Sequence, residues 1–153
     1  MTATTLTTEQ KRAALRACAV FGGMPGDEVG VLAEMMTTES LRPGETLFEA
    51  GEPSDRVFVV VTGRLEVFVG QLGQPGRAEA VRTLGPGDLL GEYGMFLGNV
   101  RTATIRAAAS GPALLLGLDY QRFRSFLLVA PEATLVLLET AVRRLVELER
   151  DRR

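Results

Sequence analysis

The chain has 153 residues with 17 basic and 19 acidic side chains, a net charge of −2, 46% hydrophobic and 24% charged positions. Those proportions describe one ordinary globular domain and exclude disordered and fibrous classes, while the near balance of charge argues against a nucleic-acid or anionic-membrane binder. His and Trp are both absent, which removes Ser–His and Cys–His nucleophile pairs, His proton shuttles and nearly every protein zinc site.

Cys18 is the single cysteine, so no intrachain disulfide can form and a reducing compartment, the cytoplasm, is expected. It sits in an Ala-rich stretch and reads as a small buried hydrophobe. No apolar run approaches about 18 residues. The start, MTATTLTTEQKR, lacks the basic and apolar regions of a signal peptide.

Thr7 to Phe21 is predicted as a helix, opened by a Thr7/Gln10 capping box, striped by Ala14, Leu15, Cys18 and Ala19, and stopped by Gly22-Gly23. A second short helix follows Pro25 and Gly26, with Asp27 and Glu28 in its first turn. From Thr37 the apolar period becomes two. Thr46 to Glu49 is a strand; Val57 to Val61, the turn Thr62-Gly63-Arg64 and the alternating Leu65, Val67 and Val69 read as a hairpin. Gly70 to Arg77 is a loop, and Glu79 to Leu84, Thr102 to Ala107 and Ala113 to Leu118 are further strands. Asp119 is placed to cap a helix from Tyr120 to Val129, and Pro131 to open a final one. The class is α+β: an antiparallel β-barrel or jelly roll of about eight strands between N-terminal helices and two C-terminal helices. One domain spans 1–153, with helices over 1–36, the barrel over 37–118 and helices over 119–153.

Chemistry concentrates in GDLLGEYGMFLGNVRTATIRA, Gly87 to Ala107. Gly91 and Gly94 let a backbone approach a ligand, and Glu92 to Leu97 can form a short helix presenting free N–H groups to an anion. Arg101 opens a strand whose alternate residues Ala103, Ile105 and Ala107 are apolar, so parity turns its guanidinium inward. Ala103 leaves room against the backbone. One helix end and one Arg therefore face one phosphate-sized anion. Glu92 would repel that anion unless the ligand also carries a hydroxyl donor, as a nucleoside 3′,5′-cyclic phosphate does in its 2′-hydroxyl.

The segment resembles the phosphate-binding cassette of the cyclic nucleotide-binding domain family, here Gly91-Glu92, Tyr93-Gly94-Met95-Phe96 and Arg101-Thr102-Ala103 across 91–103. LRPGETLFEAGEPSDRVFVVVTGRLEVF, Leu41 to Phe68, resembles the first barrel hairpins of the same family. The resemblance implies that Glu92 takes the ribose 2′-hydroxyl, Arg101 the cyclic phosphate, and Thr102 the phosphate through hydroxyl and backbone. Gly91, Tyr93 and Ala103 would give backbone contacts, with Gly94 in the same cassette. Tyr93 stands where the family usually has an aliphatic residue, and Val100 where Pro often precedes the Arg; neither removes a ligand contact.

The resemblance implies a non-catalytic cytoplasmic sensor of cAMP, with cGMP second because Thr after the cassette Arg occurs in cGMP-selective members. It needs no cofactor and no metal, and has no nucleic-acid or membrane partner. Met1 and the unbroken start favour a stand-alone domain that works as a homodimer or through an effector in trans. Two alternatives stand beside it: a degenerate barrel that only mediates protein contacts, in which Glu92 and Arg101 merely pair, and a regulatory piece of a longer channel, kinase or transcription regulator. A jelly-roll metalloenzyme is excluded in its standard form by the lack of His. The stripe Leu135, Leu138, Val142 and Leu145 on the final helix reads as packing on its own barrel, as a lid or as a dimer seam. Arg143 and Arg144 read as a solvated face, with purine cover as the alternative.

Overall fold

The computed structural model describes residues 6–68 and 80–151. Helix α1, Thr8–Ala17, opens with the predicted capping box: Gln10 N–H donates to Thr7 Oγ1 at 3.2 Å and Thr7 N–H to Gln10 Oε1 at 2.8 Å. It stops at Ala17, earlier than Phe21. Past it the chain turns so that Val20 and Phe21 enter the core, and Arg16 donates from Nη1 to the carbonyls of Gly22 and Met24. Burying Phe21 beside Phe123 and Phe126, with ring centroids 6.0 and 5.1 Å away, outweighs one more turn of helix. Helix α2, Gly26–Met35, follows.

Eight short strands come next among the described residues: β1 Thr37–Leu41, β2 Thr46–Phe48, β3 Arg56–Thr62, β4 Leu65–Phe68, β5 Arg82–Leu84, β6 Leu89–Leu90, β7 Thr104–Ala107 and β8 Ala113–Asp119. They form two antiparallel four-stranded sheets, ordered β1-β8-β3-β6 and β2-β7-β4-β5. A four-residue helix, α3 Tyr93–Phe96, lies between β6 and β7. The expected Thr46 and Ala113 strands are present, and the jelly-roll class is the observed one. β1 is a mostly polar strand and β6 only two residues long, which is why neither stands out as alternation.

The expected hairpin of Val57 to Val69 is not one. β3 and β4 are consecutive in the chain but lie in different sheets. Gly63, at φ 89°, makes the corner; a Cβ there would lie 2.4 Å from the Pro112 carbonyl oxygen. The physical reason is burial on both faces. Val57 and Val59 pack with the helices, whereas Phe58 and Val60 pack between the sheets, so β3 belongs in the middle of its sheet between β8 and β6. β8 is built alike, with Leu116 and Leu118 toward the helices and Ala113 and Leu115 between the sheets. Hence the unbroken apolar runs. Val69, the loop Gly70 to Arg77 and Glu79 fall outside the described residues.

Asp119 caps α4, Tyr120–Val129, accepting from the Arg122 N–H at 2.8 Å, and Pro131 opens α5, Pro131–Asp151. Phe123 and Phe126 lock α4 against Phe21. α4 and α5 meet at 111°. Ala133 and Leu137 of α5 are buried, while Leu135, Leu138, Val142 and Leu145 are exposed, so the predicted stripe faces away from the barrel rather than packing on it. Among the described residues no single helix is long and apolar enough to cross a membrane.

Candidate functional site

The cassette starts at Gly91, whose φ of 84° lies in the region glycine favours. It needs glycine twice over, because a Cβ would lie 2.7 Å from Arg101 Nη1 and 3.0 Å from the Arg56 carbonyl oxygen. Glu92 precedes α3 in helical conformation, and a turn through Gly98 and Asn99, both at positive φ, returns the chain to Arg101. Arg101 does not open a strand as its spacing suggests; β7 starts at Thr104. Its direction comes instead from pairing with the segment before β3. The Gly51 N–H donates to the Arg101 carbonyl, the Arg101 N–H to the Glu52 carbonyl, each at 2.9 Å, and Pro53 bridges Val100.

The guanidinium still points inward. Arg101 is 7% exposed. Its Nη1 donates to the Arg56 carbonyl at 2.9 Å, its Cζ lies 3.9 Å from the Phe48 ring centroid, and no described group accepts from its buried Nε. Burial lowers its pKa, with Tyr120, Asp55 and Glu52 opposing and the Arg56 charge acting in the same direction, and among the described residues it makes no ion pair with a carboxylate. A buried cation with an unused, directional donor is the chemistry of an anion site.

Glu92 is equally buried at 6% exposure, and burial pushes its carboxyl up to about 7, with the Arg82 charge pulling the other way. It makes no ion pair with Arg101 among the described residues. The bland pairing of the two is therefore not what the fold does. Glu92 and Tyr93 line a cleft of about 110 Å³ together with Asp88 and with Leu137, Thr140 and Arg144 of α5. Arg144 holds its Cζ 6.0 Å from the Tyr93 ring centroid, so it is not merely a solvated side chain. Thr102 is exposed, Ala103 is half-buried against the core between the sheets, and Gly94 is buried in α3.

Several neighbours of the cassette were not legible as such. Arg82 is the charge nearest in effect to Glu92, and its buried Nε has no described acceptor. Parity offered the signal, since Arg82 stands two residues before the buried Leu84 in β5. Phe48, Arg56, Ser54 and Tyr120 reach the cassette only through tertiary pairing, which no local spacing encodes.

The family profile described as the cyclic nucleotide-binding domain matches residues 38–129. The chain is 27% identical over 126 residues to a CRP-like cAMP-activated global transcriptional regulator of Mycobacterium tuberculosis, covering 82% of this chain and 54% of that protein. It thus spans about half the length of that relative. The N-terminal domain of a transcriptional regulator from Streptomyces coelicolor A3(2) superposes with a TM-score of 0.65 at 30% identity, over 88% of this chain and 94% of that one. The regulatory domain of Toxoplasma gondii PKA with cAMP superposes with a TM-score of 0.72 at 21% identity, over 88% and 49% of the two chains, a likeness of fold. Profile, relatives and fold agree: the chain belongs to the cyclic nucleotide-binding domain family.

Proposed function

We propose that the chain is a non-catalytic cytoplasmic sensor of cAMP, in which Arg101 binds the cyclic phosphate and Glu92 accepts from the ribose 2′-hydroxyl. The observation that carries the reading is the buried Arg101 guanidinium with an unused Nε, set beside the bare backbone of Gly91 and without an ion-pair partner among the described residues. Gly91, Tyr93, Gly94, Thr102 and Ala103 complete the site as backbone or hydroxyl contacts. The relative described as cAMP-activated and the PKA domain solved with cAMP support cAMP as the ligand. cGMP is the second reading, favoured by the exposed Thr102 next to Arg101.

Signalling runs through α5 in this reading. The cleft beside Glu92 holds about 110 Å³, whereas ligand pockets run from roughly 300 Å³ upward. A nucleotide that reaches Glu92 must move the wall formed by Leu137, Thr140 and Arg144. The exposed apolar stripe of α5 then serves a second copy or an effector in trans, and the net charge of −2 argues against a nucleic-acid partner. Side-by-side calorimetric titration with cAMP and cGMP tests the reading. The expected result is binding of both with cAMP tighter; a chain that titrates with neither is the degenerate, contact-only barrel.

A further inference from the structure

Tyr120 is the first residue of α4, and its hydroxyl reaches the cassette. It donates to the Gly91 carbonyl at 2.5 Å and is hydrogen-bonded to Ser54 Oγ. The turn after α3 is tied to the same place, because the Ser54 N–H donates to the Asn99 carbonyl at 2.8 Å and the Tyr120 N–H to the Asp55 carbonyl at 2.8 Å. α3 itself lies against these two hydroxyls. A Cβ on Gly94 would sit 2.7 Å from Ser54 Oγ and 2.8 Å from the Tyr120 hydroxyl, so only glycine fits. The start of the cassette, α3 and the turn that follows it therefore converge on Ser54 and Tyr120.

We propose that the Tyr120 hydroxyl is a positioning clamp that transmits the place of the cassette to α4 and, through it, to α5. Three observations make it a transmitter rather than a local brace. The hydroxyl binds the carbonyl of Gly91, the residue that also packs on Arg101, so a ligand drawing Gly91 or α3 toward Arg101 pulls directly on it. α4 is a stiff lever, held by Phe123 and Phe126 in the aromatic cluster. Its far end meets α5 at Ala130, where Thr134 Oγ donates to the Leu127 carbonyl at 2.6 Å. The proposal rests on the cyclic-nucleotide reading above for its ligand, and adds the atom through which that ligand is felt.

Tyr120→Phe keeps the ring and removes only the hydroxyl. Hydrogen exchange of wild type and variant with and without saturating cAMP, beside a calorimetric titration of each, separates the possibilities. The expected variant folds, binds cAMP within about ten-fold of wild type, since one hydroxyl carries only the lower part of a typical coupling factor, and shows faster exchange over 91–96 without nucleotide. Its cAMP-induced change in exchange over 132–150 falls below half that of wild type. A variant whose α5 responds to cAMP as fully as wild type overturns the clamp and leaves the sensor reading standing. A wild type that binds cAMP with no response in α5 also overturns it, and a wild type that binds neither nucleotide overturns the reading and the clamp together. Should Tyr120→Phe fail to fold, Ser54→Ala removes the other half of the clamp: a reduced α5 response supports the proposal and a full one overturns it.

Discussion

Arg101→Met separates a ligand-binding arginine from a structural one, because the two roles predict opposite effects. The substitution keeps an apolar stem over the Phe48 ring and deletes the charge. Without nucleotide, the loss is one hydrogen bond to the Arg56 carbonyl and a ring contact, worth about 0.5–1.5 and 1–2 kcal/mol. Against it stands relief from burying a cation at 7% exposure that makes no ion pair among the described residues and is offset only in part by the charges of Asp55 and Glu52, a penalty of several kcal/mol in a protein interior. These nearly cancel, so the midpoint of thermal unfolding should stay close to wild type or rise. With cAMP the balance changes: losing one partner of a desolvated charge pair costs ~2–5 kcal/mol, or roughly 30-fold to several thousand-fold in affinity. At nucleotide equal to 100 times the wild-type Kd, wild type gains about 2.7 kcal/mol and a variant weakened 100-fold about 0.4 kcal/mol. In a domain of this size that separates a midpoint rise of roughly 5–10 °C from one of about 1 °C. Differential scanning fluorimetry with and without cAMP, followed by calorimetric titration, reads both quantities. Arg101→Lys should recover little, since a point charge cannot reproduce the fork. An Arg101→Met protein that binds cAMP within about three-fold of wild type, or unfolds several kcal/mol more easily without it, refutes the reasoning.

For Glu92, ionisation near pH 7 should make wild-type affinity for cAMP rise about ten-fold between pH 6 and pH 8, while 2′-deoxy cAMP binds weakly with no such slope; equal slopes remove the ribose role. The same group moves stability the other way. Its folded pKa is raised, so its contribution is present below pH 4.5 and is lost as pH climbs through about 7, by up to about 3 kcal/mol. Urea midpoints at pH 5 and pH 8 should show that slope in wild type and not in Glu92→Gln, and parallel slopes count against the burial argument. Gly94→Ala places a methyl against Ser54, Tyr120 and, at 2.9 Å, the rigid Val100 carbonyl. It should destabilise by about 1–3 kcal/mol and weaken cAMP ten-fold or more; a variant matching wild type in chemical denaturation and titration contradicts the packing described.

What the sequence made legible was local. The Thr7/Gln10 box, the Asp119 cap and Pro131 each act within four residues, and each is where its spacing puts it. The doubly buried strands announce themselves as Val57 to Val61 and Ala113 to Leu118, but an unbroken apolar run gives no face, and so no sheet partner. That is why β3 and β4 read as a hairpin although Gly63 carries the chain from one sheet to the other. At the site, the cassette residues are contiguous and carry a family resemblance, whereas their supports are scattered through the chain. Parity gave Arg101 the right direction for the wrong reason: pairing with Gly51 and Glu52, not a strand, turns it inward. The helix stripe pointed to an unpartnered face only once Ala133 and Leu137 had shown which side the barrel takes.

The separation of Glu92 from Arg101 bears on why such a site selects its ligand. Had they paired, each would satisfy the other, and any ligand would first have to break a buried ion pair, a step costing several kcal/mol. The turn at Gly91 sends them to different surroundings instead, Arg101 to Phe48 and the Arg56 carbonyl, Glu92 to Arg82 and the wall of α5. Each group is left wanting a different chemistry, the cation an anion and the carboxylate a donor. On the proposed reading a cyclic nucleotide supplies both from one rigid ring, and loses its translational freedom once for two contacts. Adenosine offers only the donor, and a 2′-deoxy nucleotide only the anion, so each forfeits more than one contact's worth of discrimination. On that reading the same division also creates a switch. Glu92 shares its cleft with α5 while Gly91, beside Arg101, accepts from the Tyr120 hydroxyl, so the proposed ligand would act on the last two helices from two sides. A ligand shifts an equilibrium only by its difference in affinity between states, and a site split between the cassette and α5 is where such a difference can arise.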